Sequence, residues 1–313
     1  MKLSDKNKSI LFGGFFISFI GAIFFSTKAI FVKLAYAGNH VDAVTLLTLR
    51  MVFALPFYIV IGLVNSGKKS NVFFTPKQWF FIIFLGLGGY YLSSLFDFIG
   101  LQYISAGLER LILFIYPTLA LILNAVLFKQ QVSMFQKIAV VLTYTGIAIA
   151  FFGEMRIDSG NPHFYFGALM CFLCAVTFSI YLVGSGRMIP QAGAGKFTSY
   201  AMIAAGGGII LHYFISGRTL HAVNNSLVMY GLLLAIVATV IPTFLISYAI
   251  QKIGSSNVAI IGSIGPVSTI LQAHYFLGER IVVAQVVGTI LVIAGVILIG
   301  INARNTELTR TVQ

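Results

Sequence analysis

Three features of this 313-residue chain predict an all-α integral membrane protein with ten transmembrane helices, arranged as two inverted five-helix repeats. Hydrophobic residues make up 58% of it and charged ones 9%, against roughly 45–50% and 25% in soluble domains, which excludes a water-soluble fold. Residues 95–151 align without a gap on 244–300 at a constant offset of 149. Eight positions are identical: Gln102/Gln251, Ile104/Ile253, Ile112/Ile261, Ile115/Ile264, Pro117/Pro266, Gln136/Gln285, Leu142/Leu291 and Gly146/Gly295. Chance accounts for shared Ile and Leu between apolar helices, but hardly for coincident Pro, Gly and two Gln, so the chain reads as a duplication.

The third feature is loop charge. With the N-terminus inside, the cytoplasmic segments hold Lys2, Lys6, Lys8, Lys68, Lys69, Lys77, Lys129, Lys137, Arg187, Lys196, Lys252, Arg304 and Arg310, and the outer ones only Arg156, Arg218 and Arg280. That is the positive-inside bias, so the net charge of +12 does not point to nucleic acid. Five spans per half place both termini inside and make the second repeat (156–313) enter from the side opposite to the first (1–155).

About 20 apolar residues cross a bilayer, and ten runs qualify. Span 1, 9–36, follows Lys2, Lys6 and Lys8 and lacks a small-x-small cleavage site, so it is an uncleaved span. Span 2, 42–65, carries Arg50, and span 3, 78–99, carries Gly86-Leu-Gly-Gly89, a small-residue surface for close helix approach. Span 4, 104–127, holds Glu109, Arg110, Tyr116 and Pro117; span 5 is 132–153. Span 6, 164–184, contains Cys171 and Cys174, read as small apolar packing residues rather than a metal or redox pair. Span 7, 197–216, has a second small-residue surface at Ala204-Ala-Gly-Gly-Gly208, and span 8 is 227–249. Span 9, 253–277, holds Asn257, Gly262-Ser-Ile-Gly-Pro266, Gln272 and His274, and span 10 is 281–301. The runs lack the two-residue alternation of an outer-membrane barrel. Trp79, Tyr90, Tyr91, Tyr103 and Tyr230 read as interface anchors.

Phe25-Ser-Thr-Lys-Ala-Ile-Phe-Val-Lys33 followed by Thr48-Leu-Arg50, together with Ile264-Gly-Pro266 through Leu277-Gly-Glu-Arg280, resembles the EamA-type branch of the drug/metabolite transporter superfamily, over about residues 10–301. The resemblance implies an inverted-repeat carrier of small metabolites such as amino acids, commonly an exporter in the bacterial inner membrane, with a cavity near the midplane and no catalytic chemistry. The family's Gly-Glu-Arg-like close recurs in both halves, but here the first half keeps Pro117 and reads Phe128-Lys-Gln-Gln131. No Walker loop or His/Glu zinc pattern is present in the sequence, and no cofactor is expected.

Lys28, Lys33, Arg50, Asp97, Glu109 and Arg110 are ionisable residues inside first-half spans, whereas the second-half spans carry only histidines. At 1.5 Å per residue, Lys28 and Arg50 lie about 12 Å from the outer surface and Glu109 and Arg110 about 8 Å. Charges at such depth are costly, so they face one another or a wet cavity. Lys33 reads as snorkelling outward. Lys28 and Arg50 are either an anion site or partners of Glu109, and Asp97 either pairs with Arg110 or caps a helix. Glu109, the one deep carboxyl, is the first candidate for proton coupling, with Asp97 second. Pro117 and Pro266 each leave a carbonyl without its helical donor. Tyr116, Asn257, Ser263 and His274 join them as substrate-contact candidates. The expected partners are a small carboxylate-bearing metabolite and the lipid bilayer, with a homodimer left open. A membrane sensor or scaffold without transport is the competing class.

Overall fold

The computed structural model describes residues 5–68, 72–128, 133–157, 160–218 and 224–312, and every regular element among them is helical. In chain order these are α1 (Asp5–Gly38), α2 (Ala43–Ser66), α3 (Pro76–Phe84), a π-helical segment (Leu85–Tyr91), α4 (Leu92–Gly100), α5 (Ala106–Leu113), α6 (Tyr116–Phe128), α7 (Met134–Ile157), α8 (Phe164–Ala192) and α9 (Ala194–Ile215). They continue with α10 (Asn225–Ala235), a second π segment (Ile236–Val240), α11 (Ile241–Gly262), α12 (Ile264–Gln272), a third π segment (Ala273–Leu277) and α13 (Val283–Val312). Short polar side chains set the starts. Asp42 accepts the N–H groups of Val44 and Thr45, Ser105 that of Leu108, and Asn224 that of Leu227, each satisfying a donor the helix leaves orphaned.

Among the described residues eight helical runs are long and apolar enough to cross a membrane, so the chain is a multi-pass membrane protein. The region expected as span 9 is less regular. The helix α11 passes through a kink at Gly254 (φ 78°, ψ 159°), a conformation open to glycine because it lacks a Cβ. The backbone then breaks at Ser263 and loosens at Ala273–Leu277, after which α13 runs without a break from Val283 to Val312. The expected loop between spans 6 and 7 is also absent. The helix α8 continues to Ala192, and the single residue Gly193, at φ 79°, reverses the chain into α9. Lys196, counted above as a loop charge, is therefore a buried helix residue whose ammonium donates to Val72 O and sits 4.0 Å from the Phe74 ring centre.

The most extensive pairings are α7 with α13, α1 with α11, α2 with α9, and α4 with α8. The first rests on bare backbone. A Cβ at Gly146 would come within 2.6 Å of Gly288 O, and one at Gly295 within 2.7 Å of Ala139 O. The offset of 149 carries Gly146 to Gly295 and Ala139 to Gly288, so these two contacts are counterparts. Other irregularities coincide in the same way: Ile236–Val240 maps onto 87–91 inside the first π segment, and the end of α11 at Gly262 maps onto the end of α5 at Leu113. The repeated glutamines also share a task. Gln136 Oε1 accepts the N–H of Ser133 (2.8 Å) and Gln285 Oε1 that of Val282 (3.3 Å), each holding the first turn of its helix. The small-residue surfaces do meet: a Cβ at Gly86 would lie 2.9 Å from the Ala204 Cβ, and Gly208 faces Leu87.

Candidate functional site

The first π segment owes its wide turn to Leu85-Gly-Leu-Gly-Gly, where Gly86 and Gly89 let α9 and α8 approach the backbone. The widening turns Tyr90 inward, 3% exposed, so Tyr90 is no interface anchor. Its hydroxyl accepts from Arg50 Nη2 at 2.8 Å. Arg50, 1% exposed on α2, also donates from Nε to Thr239 Oγ1 (2.6 Å) and from Nη1 to Ser94 Oγ (3.4 Å), and its guanidinium stands 5.4 Å from the Phe98 ring centre. Tyr90 and Thr239 are counterparts under the offset of 149, one in each π segment. Thr239 Oγ1 in turn donates to Leu234 O, five residues back, satisfying a carbonyl that the wide turn displaces. The hydrogen-bond partners of Arg50 are thus all hydroxyls, and among the described residues no carboxylate lies within ion-pair distance of it.

The carboxyls belong instead to Lys28. Its Nζ lies 2.7 Å from Asp97 Oδ2 and 3.9 Å from Glu109 Oε1, and all three side chains are at most 7% exposed. This corrects the expected pairing of Asp97 with Arg110, and of the two partners expected for Glu109 it is Lys28, not Arg50, that stands beside it. Neighbouring positions on a helix point about 100° apart, so while Glu109 faces Lys28, Arg110 turns toward α12 and α1. There its Nε donates to Thr269 Oγ1 (3.0 Å) and its Nη2 to Phe25 O (2.8 Å). Neither oxygen of Glu109 meets a hydrogen-bond donor, although Asp97 stands within electrostatic reach. Two adjacent buried carboxyls can satisfy one another by sharing a proton.

The basic members of this set border a cavity of about 90 Å³ between the two halves. Lys28, Arg50, Arg110 and Tyr116 line it, as do Tyr90, expected at the interface, and Ser93, Ser94 and Phe178, which the sequence did not single out. Cys174, read as packing, also lines it, with its thiol 3.9 Å from Asp97 Oδ1; Cys171 is buried, and both are free thiols. Asp97 and Glu109 sit behind Lys28, outside the lining. Pro117, Ser263 and Pro266 do not line it either, but their neighbours Leu113, Gly262 and Gly265 do. Leu113 and Gly262 are the residues four before the two prolines, whose missing N–H would have bonded their carbonyls. His274 is exposed, its Nδ1 2.9 Å from Glu279 O, and is not brought to the cavity. Asn257 lies outside the residues whose side chains are described.

The glutamate of the Gly-Glu-Arg close has a task of its own. Glu279 accepts the N–H groups of Ala106 (3.0 Å) and Gly107 (3.4 Å), placing a carboxylate at the positive end of α5 from the other half of the chain.

Comparison with known proteins gives one family twice. The EamA-like transporter family profile matches residues 12–152 and again 165–301. The chain is 33% identical to the uncharacterized transporter YcbK of Bacillus subtilis over 281 residues, 86% of each chain. It is 20% identical to the uncharacterized inner membrane transporter YicL of Salmonella typhimurium over 91% of this chain and 94% of that one. A transporter from Archaeoglobus fulgidus is 23% identical over 86% of this chain and 92% of its own. A solved crystal structure 18% identical in sequence superposes with a TM-score of 0.66 over 94% of this chain and 98% of that one, a likeness of fold.

Proposed function

The chain belongs to the EamA-like transporter family and is a membrane transporter; on that premise we propose that it is a secondary carrier that exports small carboxylate-bearing metabolites by alternating access. One observation carries the reading. Arg50 is a buried guanidinium at the cavity wall that hydroxyls and aromatic rings surround and that no carboxylate among the described residues pairs. A buried cation without a counter-charge is costly, and a ligand carboxylate supplies that charge with the planar geometry a guanidinium fork matches. Amino acids, the class the family resemblance suggests, carry such a group.

The architecture we propose is ten spans in two inverted repeats, 1–155 and 156–313, with both termini on the cytoplasmic face of a bacterial inner membrane. Supporting it are the counterpart contacts at Gly146 and Gly295, the coincident π segments and the double family match. The hydrogen bond from Asn224 Nδ2 to Asn39 Oδ1 (2.9 Å) joins two loops assigned outside, and that between Gln78 and Gln191 (3.3 Å) joins two positions assigned inside. In this orientation the Lys28, Asp97 and Glu109 cluster closes the outer side of the cavity, which extends inward to Val258, four residues from the kink at Gly254.

Glu109 and Asp97 are the proposed proton carriers, Lys28 being their shared cation. The test is efflux and uptake in proteoliposomes with a pool of labelled metabolites, with and without a pH gradient. Carboxylate flux that Arg50→Lys weakens at normal folded yield is the expected result; absence of flux for every carboxylate sinks the proposal. Glu109→Gln is expected to reduce gradient-driven flux several-fold while sparing exchange at equal pH, and equal loss of both removes Glu109 as the carrier.

A further inference from the structure

The lining of the cavity narrows the substrate class beyond the carboxylate on which the proposed function rests. Its charged members are Lys28, Arg50 and Arg110, all basic, and no acidic side chain lines it among the described residues. The two carboxyls nearby, Asp97 and Glu109, are held behind Lys28, and Asp97 Oδ2 is already taken by its ammonium. An α-ammonium group entering this cavity therefore meets two guanidinium groups that no carboxylate among the described residues neutralises, Arg50 and Arg110, while the nearby carboxyls are engaged by Lys28, and desolvating it there is unfavourable. Donor capacity for an anion, in contrast, is left over. Of the five N–H groups of Arg50, the hydroxyls of Thr239, Ser94 and Tyr90 take one from each nitrogen, which leaves one on each terminal nitrogen. Thr269 and Phe25 O take two from Arg110 and leave three.

Away from the cations the wall changes character. Phe114, Tyr116, Phe178, Leu182, Ile246 and Val258 surround the remaining space with aromatic and branched apolar groups. Phe114, Tyr116 and Phe178 already form successive edge-to-face contacts at 5.3 and 5.2 Å, a preformed surface against which a flat apolar body packs.

We infer that the cavity selects monoanions with an apolar, ring-sized body and no cationic amino group: deaminated acids rather than the zwitterionic amino acids that share their carboxylate.

The test compares four probes that differ by one group, with binding to the purified full-length protein in detergent followed by calorimetry at pH 7.4. These are 3-phenylpropionate, phenylalanine, 3-phenylpropanamide and succinate. The expected order puts 3-phenylpropionate at least about 10-fold tighter than each of the others, since each lacks a matched charge, carries an unmatched one or lacks the apolar body. Phenylalanine binding as tightly as 3-phenylpropionate overturns this inference and leaves the carboxylate-carrier reading standing. The neutral amide binding as tightly as the acid overturns both, because the basic groups then recognise nothing. Failure of both acids to bind also overturns the inference, and the flux assay then decides whether other carboxylates are carried. Arg50→Gln is expected to erase the preference for acid over amide, and Arg50→Lys, which keeps the charge, to retain part of it should the glutamine variant fail to fold.

Discussion

The two halves of the chain build one cavity from the same backbone and opposite chemistry. In the first half, the carboxyls Asp97 and Glu109 bracket Lys28. The offset of 149 carries them to Ile246 and Val258, both of which line the cavity as apolar wall. The backbone irregularities, by contrast, are kept: the π segments coincide, the helices break at matching points and both prolines remain. Duplicated halves therefore keep what shapes the cavity and lose what charges it. One side of the cavity is closed by ions and the other lined by hydrocarbon, an asymmetry that a symmetric pair of helices alone would not create.

The strongest test of that contrast removes the cation that the first half depends on. Lys28→Met leaves Asp97 and Glu109 buried side by side without it. Breaking a buried pair from one side commonly costs about 3–5 kcal/mol, so folded yield on size-exclusion chromatography is expected to fall sharply. Adding Asp97→Asn is expected to restore most of it. Ile246→Leu and Val258→Ile, which alter the counterpart positions without charge, are expected to change stability by under about 1.5 kcal/mol. A Lys28→Met protein of normal yield would mean that the outer cluster is not structurally coupled, and the contrast between halves would then be one of composition only.

A smaller effect tests what the halves share. Gly146→Ala and Gly295→Ala introduce a methyl into counterpart contacts where backbone oxygen stands 2.6 and 2.7 Å away. Overpacking of this kind costs about 1–3 kcal/mol, and the two losses should match if the crossing of α7 and α13 is shared equally. Gly207→Ala is the control, since a Cβ there meets nothing within 4 Å; its expected effect is neutral or stabilising by about 0.5–1 kcal/mol from helix propensity. Thermal unfolding in detergent reads all three, and unequal losses at Gly146 and Gly295 would show that one half carries the crossing.

Much of this was legible in the sequence, for identifiable reasons. Composition and the 149-residue offset predicted a duplicated helical membrane protein because burial in lipid leaves few residue types usable and repeats preserve spacing. Lys28, Arg50 and Arg110 were legible as a basic layer because ionisable groups are rare in apolar runs. What was not legible is pairing. Depth arguments place residues along a helix axis but not around it, so they offer Asp97 to Arg110 and leave Glu109 between Lys28 and Arg50, whereas the facing of α4 and α5 brings both carboxyls to Lys28. Tyr90 was misread as an interface residue because a π turn shifts the facing of every residue in it, and the only hint was the glycine run from Gly86 to Gly89. Thr239, the second clamp on Arg50, was missed because a threonine in an apolar span carries no signal until its partner across the bundle is known.

The smallest expected effect lies in the repeated glutamines, and it bears on why Gln136 and Gln285 are among the few identities. Each accepts the N–H three residues before it, satisfying one orphan donor at a helix start. Losing such a bond costs about 1 kcal/mol. Gln285 has a further partner, since its Nε2 donates to Glu154 Oε2 at 2.9 Å and so ties the start of α13 to the end of α7. If capping is the shared reason for both glutamines, Gln136→Ala lowers stability by about 1 kcal/mol and Gln285→Ala by somewhat more, because it also removes the hydrogen bond that joins α13 to α7. Glutamate at either position keeps the acceptor that caps the helix, so Gln136→Glu is expected to behave nearly as wild type. Gln285→Glu loses the donor to Glu154 and sets two carboxylates together, so it is expected to cost more than Gln136→Glu. Equal, near-neutral behaviour of all four variants would remove capping as the reason for the repeat, leaving helix packing at Gly146 and Gly295 as the feature the halves hold in common.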